Sequence, residues 1–272
     1  MAAWVFPFLM FWVGAAVGSF LNVVVYRIPA GLSLLHPPSH CPKCHHRLQA
    51  HDNVPILGWL WLRGRCRYCR TAISVRYPLV EALTGGLFLT AFLQFGLSLE
   101  TLAAWLLISW LLALAFIDLD TFTLPNSLTQ SGLGVGLIAQ VILLHPLNEG
   151  WGTTAEALMG GIVGAVLGIW IFDGLVFFGA ILLGQPAMGG GDGKLAALLG
   201  AWLGWQGMVL SGFLACALGA FFGGGAIALG LLSRRDPIPF GPFLSVAALV
   251  ALFWGETLIH LYLRLFFPLG VS

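Results

Sequence analysis

Long apolar runs fill most of the sequence and restrict its fold more than any other feature. A helix that crosses a bilayer needs roughly 20 mainly apolar residues, and about eight runs approach or exceed that length. They lie near residues 4–26, 79–98, 102–117, 126–145, 155–184, 194–211, 212–232 and 242–266. Only 8% of the residues are charged, against about 25% in soluble globular proteins. The sequence therefore predicts an all-α polytopic membrane protein with about eight transmembrane helices.

The basic residues predict how the chain is oriented in the membrane. Eight of the twelve Lys and Arg residues lie between Arg27 and Arg76, in the only long polar segment. The positive-inside rule places such a segment in the cytoplasm. We expect a first transmembrane helix over 1–26, a cytoplasmic loop domain over 27–77 and a transmembrane domain over 78–272. With eight spans, the stretches around 118–126, 189–194 and 233–236 also face the cytoplasm.

Two CxxC pairs lie in the polar segment. The sequence reads CPKC at Cys41 to Cys44 and CRYC at Cys66 to Cys69, with 21 residues between the pairs. Four thiolates at this spacing are typical of a closed structural zinc site. Two disulfides are the alternative, but they need an oxidising compartment, whereas the basic residues predict the reducing cytosol. The histidines that follow Cys44 can replace a ligand, although four cysteines already complete the set.

Acidic residues at the ends of two apolar runs are the strongest candidates for chemistry. A charged residue at the bilayer centre costs at least about 2.5 kcal/mol, so acids in such runs are usually functional. Asp118 follows the run LLALAFI, and Asp192 precedes the run that starts at residue 194. Both are expected at the same depth. Asp120 points about 200° away from Asp118 on a helix, and Asp173 lacks an acidic partner at its predicted depth, so we set both aside.

Glycines surround the second of these acids. Gly189, Gly191 and Gly193 belong to the stretch GGGDGK around Asp192. Glycines permit φ > 0 and let an extended peptide lie close to the backbone, as a protease requires. The stretch is not a P-loop, because Leu195 follows the Gly-Lys pair where Ser or Thr is needed. A flexible turn in which Asp192 caps the next helix is the structural alternative.

Six separated stretches together resemble the prepilin leader peptidases of type IV pilus and type II secretion systems, which are GxGD-type membrane aspartic proteases. The stretches are GSFLNVVVYRIP (18–29), the two CxxC pairs, SVRYPLVEALTG (74–85), IDLDTFTLPNSLT (117–129) and GGGDGKLAALLGAWLGW (189–205). The resemblance implies that Asp118 and Asp192 are the catalytic pair. It also implies N-methylation of the new N-terminus from S-adenosylmethionine, although no cofactor-binding residue is assigned. One departure is Asn126, where the family commonly carries Asp.

The resemblance implies prepilin or pseudopilin substrates cleaved at the bacterial inner membrane, with the zinc loop and both aspartates on the cytoplasmic side. Lipid is the other expected partner, and we expect no nucleic acid. A proton- or cation-coupled transporter also explains paired membrane acids, but not the glycines beside them. A structural subunit of a secretion apparatus leaves both acids without a role.

Overall fold

The structure is a computed structural model that describes residues 4–144, 151–183, 189–233 and 236–266. Helices account for nearly all regular structure in these ranges, and pairing of extended chain is limited to two isolated bridges. In chain order the helices are α1 (Val5–Arg27), α2 (Leu57–Trp61), α3 (Arg76–Phe95), α4 (Leu99–Thr121), α5 (Asn126–Ala139), α6 (Trp151–Leu183), α7 (Asp192–Ala228) and α8 (Gly241–Phe266). A 3₁₀ turn covers Ala50–Asn53, and a π-helical turn over Gln140–Leu144 continues α5.

The predicted all-α, multi-pass membrane architecture is confirmed, with a different number of long helices. Six helices of the described ranges are long and apolar enough to cross a membrane, namely α1, α3, α4, α6, α7 and α8. The predicted run 126–145 is divided between the 14 residues of α5 and the π-helical turn. The predicted runs 194–211 and 212–232 are joined in the 37 residues of α7. Arg234 and Arg235, which we used for the orientation, lie outside the described residues.

Helix α7 is interrupted at Gly204. This residue has φ 68° and ψ 178°, so two helices meet there. A Cβ on Gly193 would lie 3.7 Å from the Cβ of Phe172, and one on Gly212 would lie 3.5 Å from its ring. A straight helix would separate positions 193 and 212 by about 28 Å. The chain therefore folds back at Gly204, whereas the sequence analysis placed the boundary between residues 211 and 212. A glycine can adopt the left-handed backbone conformation that this reversal needs.

The first of two compact units covers Met1–Ala113. Within it, α1 packs closely on α3 through glycines. A Cβ on Gly14 would lie 2.7 Å from Phe88, and one on Gly18 would lie 2.8 Å from the Thr84 hydroxyl. Small residues allow such close packing of membrane helices. Trp105 of α4 stacks on Phe88 with 5.0 Å between the ring centroids.

The second compact unit covers Leu114–Ser272. Its helices α6 and α7 touch backbone to backbone at Gly164 and Gly200, where no side chain fits. Trp202 of α7 donates a 2.8 Å hydrogen bond from Nε1 to the Gly132 carbonyl, and the buried Gln140 side chain donates to the Trp202 carbonyl at 2.9 Å. These contacts fix α5 and α6 on the first half of α7, which begins at Asp192.

Candidate functional site

Asp118 lies in the last turn of α4 and is 5% exposed. Its Oδ2 accepts a 2.9 Å hydrogen bond from the backbone N–H of Gly241, the first residue of α8. The first N–H groups of a helix have no partner within the helix and favour a negative charge. A Cβ at position 241 would lie 2.7 Å from the same carboxylate oxygen. Sequence reasoning missed Gly241, and only the Gly-Pro pair that starts the last helix marks it.

Asp192 begins α7 and is 6% exposed. It is close enough to Asp118 for the two carboxylates to interact electrostatically. The structure thus brings together the two acids that the sequence placed at one depth. Asp192 is the first residue of the helix, Gly191 occupies the N-cap, and no side chain caps the helix there. The alternative in which the Asp192 side chain caps its helix does not describe this geometry.

The glycines around Asp192 have different surroundings. A Cβ on Gly191 would lie 3.0 Å from Leu124, and one on Gly193 would lie 2.9 Å from a carboxylate oxygen of Asp173. A Cβ on Gly189 would meet only Asp192, at 3.9 Å, and one on Gly190 would meet nothing within 4 Å. A side chain at position 191 or 193 would therefore crowd Leu124 or Asp173.

Three other polar residues lie near the pair in the chain or in space. Asp120 is exposed whereas Asp118 is buried, because the two positions lie on opposite sides of α4. Asp173, which the sequence analysis set aside, borders Gly193 and so lies near Asp192. No signal in the sequence linked it to this region. The Lys194 ammonium donates a 2.7 Å hydrogen bond to the Asn126 side-chain oxygen. The departure from the family pattern at position 126 thus keeps an acceptor for this lysine.

The four cysteines of the polar segment form one cluster. Their sulfur atoms all lie within 4.8 Å of one another, with 3.7 Å from Cys41 to Cys69 and 3.9 Å from Cys44 to Cys66. Four sulfurs around a zinc ion, with Zn–S about 2.3 Å, lie about 3.8 Å apart. The cluster therefore fits a tetrahedral metal site, and all four thiols are free cysteines rather than disulfides.

The two CxxC pairs have the same backbone conformation, so each is a knuckle of one type. In the first, the Cys41 N–H donates to the His46 carbonyl, and the His45 N–H donates to the Cys41 carbonyl. In the second, the Cys66 N–H donates to the Thr71 carbonyl, and the Arg70 N–H donates to the Cys66 carbonyl. The residue after each pair has positive φ, 56° at His45 and 58° at Arg70. These turns direct the sulfurs of both pairs to one point.

An ion pair between the buried Asp52 and the half-buried Arg67 supports the second knuckle. The Arg67 guanidinium donates from Nε to both carboxylate oxygens of Asp52, at 3.0 and 3.2 Å. This contact holds the pKa of Asp52 below its usual value. In the same knuckle, hydrogen bonding with Thr71 lowers the pKa of the Cys69 thiol to about 6, whereas the pKa of the neighbouring Cys44 thiol is raised to about 11.

Two family models cover most of the chain. The Bacterial Peptidase A24 N-terminal domain matches residues 12–95, and the Type IV leader peptidase family matches residues 105–224. No solved structure matches.

Curated relatives match the chain over nearly its full length. One from Aeromonas hydrophila is 40% identical over 97% of this chain and 96% of its own. Another from Legionella pneumophila is 36% identical over 95% of this chain and 96% of its own. A third from Stutzerimonas stutzeri is 38% identical over 92% of this chain and 91% of its own. Each is named prepilin leader peptidase/N-methyltransferase. By sequence, this chain belongs to the type IV leader peptidase family.

Proposed function

We propose that the protein cleaves the leader peptide of type IV prepilins or type II secretion pseudopilins and then N-methylates the new N-terminal residue. The observation that carries the proposal is that two buried carboxylates, Asp118 and Asp192, lie within electrostatic range of each other at helix ends of a membrane protein. The names of the relatives and the family membership support the substrate and both reactions.

Asp118 and Asp192 supply the acid and base of peptide hydrolysis in this proposal. Two neighbouring carboxylates do not both ionise readily, so the pair shares one proton. The ionised member takes a proton from a water molecule, whose oxygen attacks the scissile carbonyl carbon. The protonated member donates to the leaving amine, and the C–N bond breaks. The two carboxylates titrate as a coupled pair, so we do not assign the acid role or the base role to either residue.

The glycines beside Asp192 position the substrate backbone. Gly189 and Gly190 are exposed and carry no side chain that would exclude an extended peptide. Gly191 and Gly193 instead let Leu124 and Asp173 approach the loop. An extended segment of the prepilin can therefore lie along the loop with its scissile carbonyl near the carboxylates.

Cys41, Cys44, Cys66 and Cys69 hold one structural zinc ion in this proposal. The sulfur positions fit a closed tetrahedral site, which leaves no coordination position for substrate. The ion supplies a cross-link that joins the two knuckles. The role of the chain is to present the four thiolates, which the matching turns at His45 and Arg70 achieve.

S-adenosylmethionine supplies the methyl group. When bound, it would transfer this group from its sulfonium to the amine that cleavage releases, with loss of one proton from the amine and release of S-adenosylhomocysteine. We place this reaction near the loop over 27–77, because the donor is a soluble cytosolic molecule and this is the only long polar segment of the sequence. Residues 1–26 and 78–272 supply the first transmembrane helix and the peptidase part.

We place the protein in the bacterial inner membrane, with the zinc loop and the aspartates on the cytoplasmic side. The clustering of eight basic residues between Arg27 and Arg76 supports this orientation. Its partners are the prepilin or pseudopilin and membrane lipid, without nucleic acid. A transporter that uses the aspartates as a proton relay receives no support from the comparisons.

Purified protein in nanodiscs, mixed with a prepilin, tests the peptidase. We expect a product shortened by the leader, formed about 1,000-fold more slowly by Asp192→Asn. Absence of cleavage by the wild-type protein, together with proton flux across proteoliposomes, would support the transporter instead.

A further inference from the structure

We propose that a cavity beside the C-terminal end of α1 binds the amino-acid part of the methyl donor, with its carboxylate on Arg27. The inference rests on the methyl transfer proposed above and assigns residues to it. All the residues that carry it belong to the first compact unit.

The cavity has a volume of about 400 Å³. Helix α1 forms one wall through Ser19, Phe20 and Arg27, and the loop residues 34, 35, 37–39, 53 and 55 form the other. Small-molecule sites have volumes of about 300 to 1,000 Å³ and combine an apolar lining with a few polar groups. This cavity matches that description, since Ser19, Ser39 and Asn53 are its polar members besides Arg27.

Arg27 is a buried cation with neutral partners. It is 7% exposed, and its guanidinium donates to the carbonyls of Ser33 at 2.9 Å, Leu34 at 3.2 Å and Pro37. A guanidinium has five N–H donors, so donors remain beyond these three bonds. In the described ranges no carboxylate lies within ion-pairing distance of it. A buried charge without a counter-charge is unfavourable, and a ligand carboxylate would supply one.

A buried carboxylate lies next to Ser19, one of the residues that line the cavity. Glu81 of α3 is 8% exposed, hydrogen-bonds to the Ser19 side chain and accepts a 2.6 Å hydrogen bond from the Ile56 N–H. Ile56 has φ 61°, a conformation that is rare for a β-branched residue and is usually retained at functional sites. Glu81 therefore fixes the loop that forms the second wall.

The two charges match the methyl donor. The donor has a carboxylate at one end of its amino-acid part and carries positive charge on its ammonium and sulfonium groups. Arg27 suits the first, and Ser19, a lining residue that is hydrogen-bonded to Glu81, suits the second. A lipid phosphate would use the cation alone and would leave the polar side chains Ser39 and Asn53 without a role. We therefore favour the methyl donor over a lipid.

A second cavity provides the control. It has a volume of about 580 Å³ and is lined by residues 45–50 and Tyr68. The rings of His46 and Tyr68 lie against each other with centroids 3.7 Å apart and an angle of 33° between the ring planes. Arg47 lines this cavity but is exposed. The same substitution at Arg27 and at Arg47 thus compares a buried with an exposed cation.

The test measures binding of S-adenosylhomocysteine to the full-length, zinc-loaded protein in nanodiscs by calorimetry. We expect Arg27→Gln to weaken binding by about 10- to 100-fold, the value of a charge-assisted hydrogen bond, and Arg47→Gln to change it by less than about twofold. A second probe is S-adenosylhomocysteine without its carboxylate. The wild-type protein should bind this probe as weakly as Arg27→Gln binds S-adenosylhomocysteine, and the two proteins should bind the probe with equal affinity.

Two results would overturn the inference. If Arg27→Gln weakens both probes equally, Arg27 acts only by holding the loop of residues 33–37. If the variant binds S-adenosylhomocysteine normally but loses a phospholipid seen by native mass spectrometry, the occupant is a lipid. Methylation of a mature pilin by the wild type is measured in parallel. If the wild-type protein methylates the pilin and Arg27→Gln binds S-adenosylhomocysteine normally, only this binding site is refuted. If the wild-type protein neither binds S-adenosylhomocysteine nor methylates the pilin, the methyltransferase activity itself is refuted.

Discussion

The carboxylate of Asp118 and the backbone N–H of Gly241 lie 2.9 Å apart, so the start of α8 holds one member of the acidic pair. The contact depends on the absence of a side chain, because a Cβ at position 241 would lie 2.7 Å from the carboxylate oxygen. A residue 123 positions away in the sequence thus sets the position of Asp118.

Gly241→Ala should therefore reduce prepilin cleavage by about 100-fold, the usual effect of displacing a catalytic group by about 1 Å. Gly255→Ala is the matched control in the same helix, since its Cβ would lie an ordinary 3.8 Å from Leu210. The rate of leader removal is measured for both variants at equal amounts of folded protein. Equal rates for the two would show that the Gly241 contact does not position the acid.

Asp118→Asn and Asp192→Asn should each lower the cleavage rate by about 1,000-fold, because each removes half of the acid and base pair. Asp120→Asn should be far milder, since Asp120 is exposed whereas Asp118 is buried. The rate of single-turnover cleavage is measured for the three variants. A loss at position 120 as large as that at position 118 would contradict our choice of Asp118.

Gly193→Ala should impair cleavage more than Gly190→Ala. The new methyl group would lie 2.9 Å from the Asp173 carboxylate at position 193, but would meet nothing within 4 Å at position 190. Crowding next to Asp192 displaces that residue, whereas a methyl group at position 190 can affect only the fit of the substrate. The cleavage rates of the two variants are compared, and a larger loss at position 190 would show that substrate fit outweighs the crowding of Asp192.

The cysteine cluster should bind about one zinc ion per chain, because four thiolates complete a tetrahedral site. Cys41→Ser and Cys69→Ser should lower the zinc content and increase amide hydrogen exchange in residues 40–72. Cys216→Ser is the control, since Cys216 lies in α7 outside the cluster. Elemental analysis and exchange mass spectrometry provide the measurements. Metal-free wild-type protein with both pairs oxidised in native membranes would exclude the zinc site.

The two reactions should be separable by substitution. Asp192→Asn should leave methylation of a supplied mature pilin nearly unchanged, because the carboxylates act only in hydrolysis. Cys41→Ser should weaken methylation at least as much as cleavage if the donor binds near the loop. Transfer of a labelled methyl group to unmethylated mature pilin measures the first reaction, and leader removal measures the second. A wild-type protein that cleaves normally and transfers no label would be a peptidase alone.

The local sequence was sufficient to predict several parts of this protein. Apolar runs predict membrane helices because a helix in lipid satisfies its own backbone groups, and helix α8 begins within one residue of its predicted run. The spacing within and between the CxxC pairs predicts the cysteine cluster, since each knuckle is a local turn. Asp118 and Asp192 were identifiable because a carboxylate at the end of an apolar run is costly.

Only the tertiary structure determines the contacts between distant segments. Hydropathy does not change at Gly204, so the reversal of α7 depends on one backbone conformation. The N–H of Gly241 reaches Asp118 because α8 starts beside the end of α4, and Asp173 borders Gly193 because α6 packs on α7. The sequence determines which residues enter the membrane and which carry charge. Helix packing determines which of those charges meet, because close approach depends on small residues at matching heights rather than on composition.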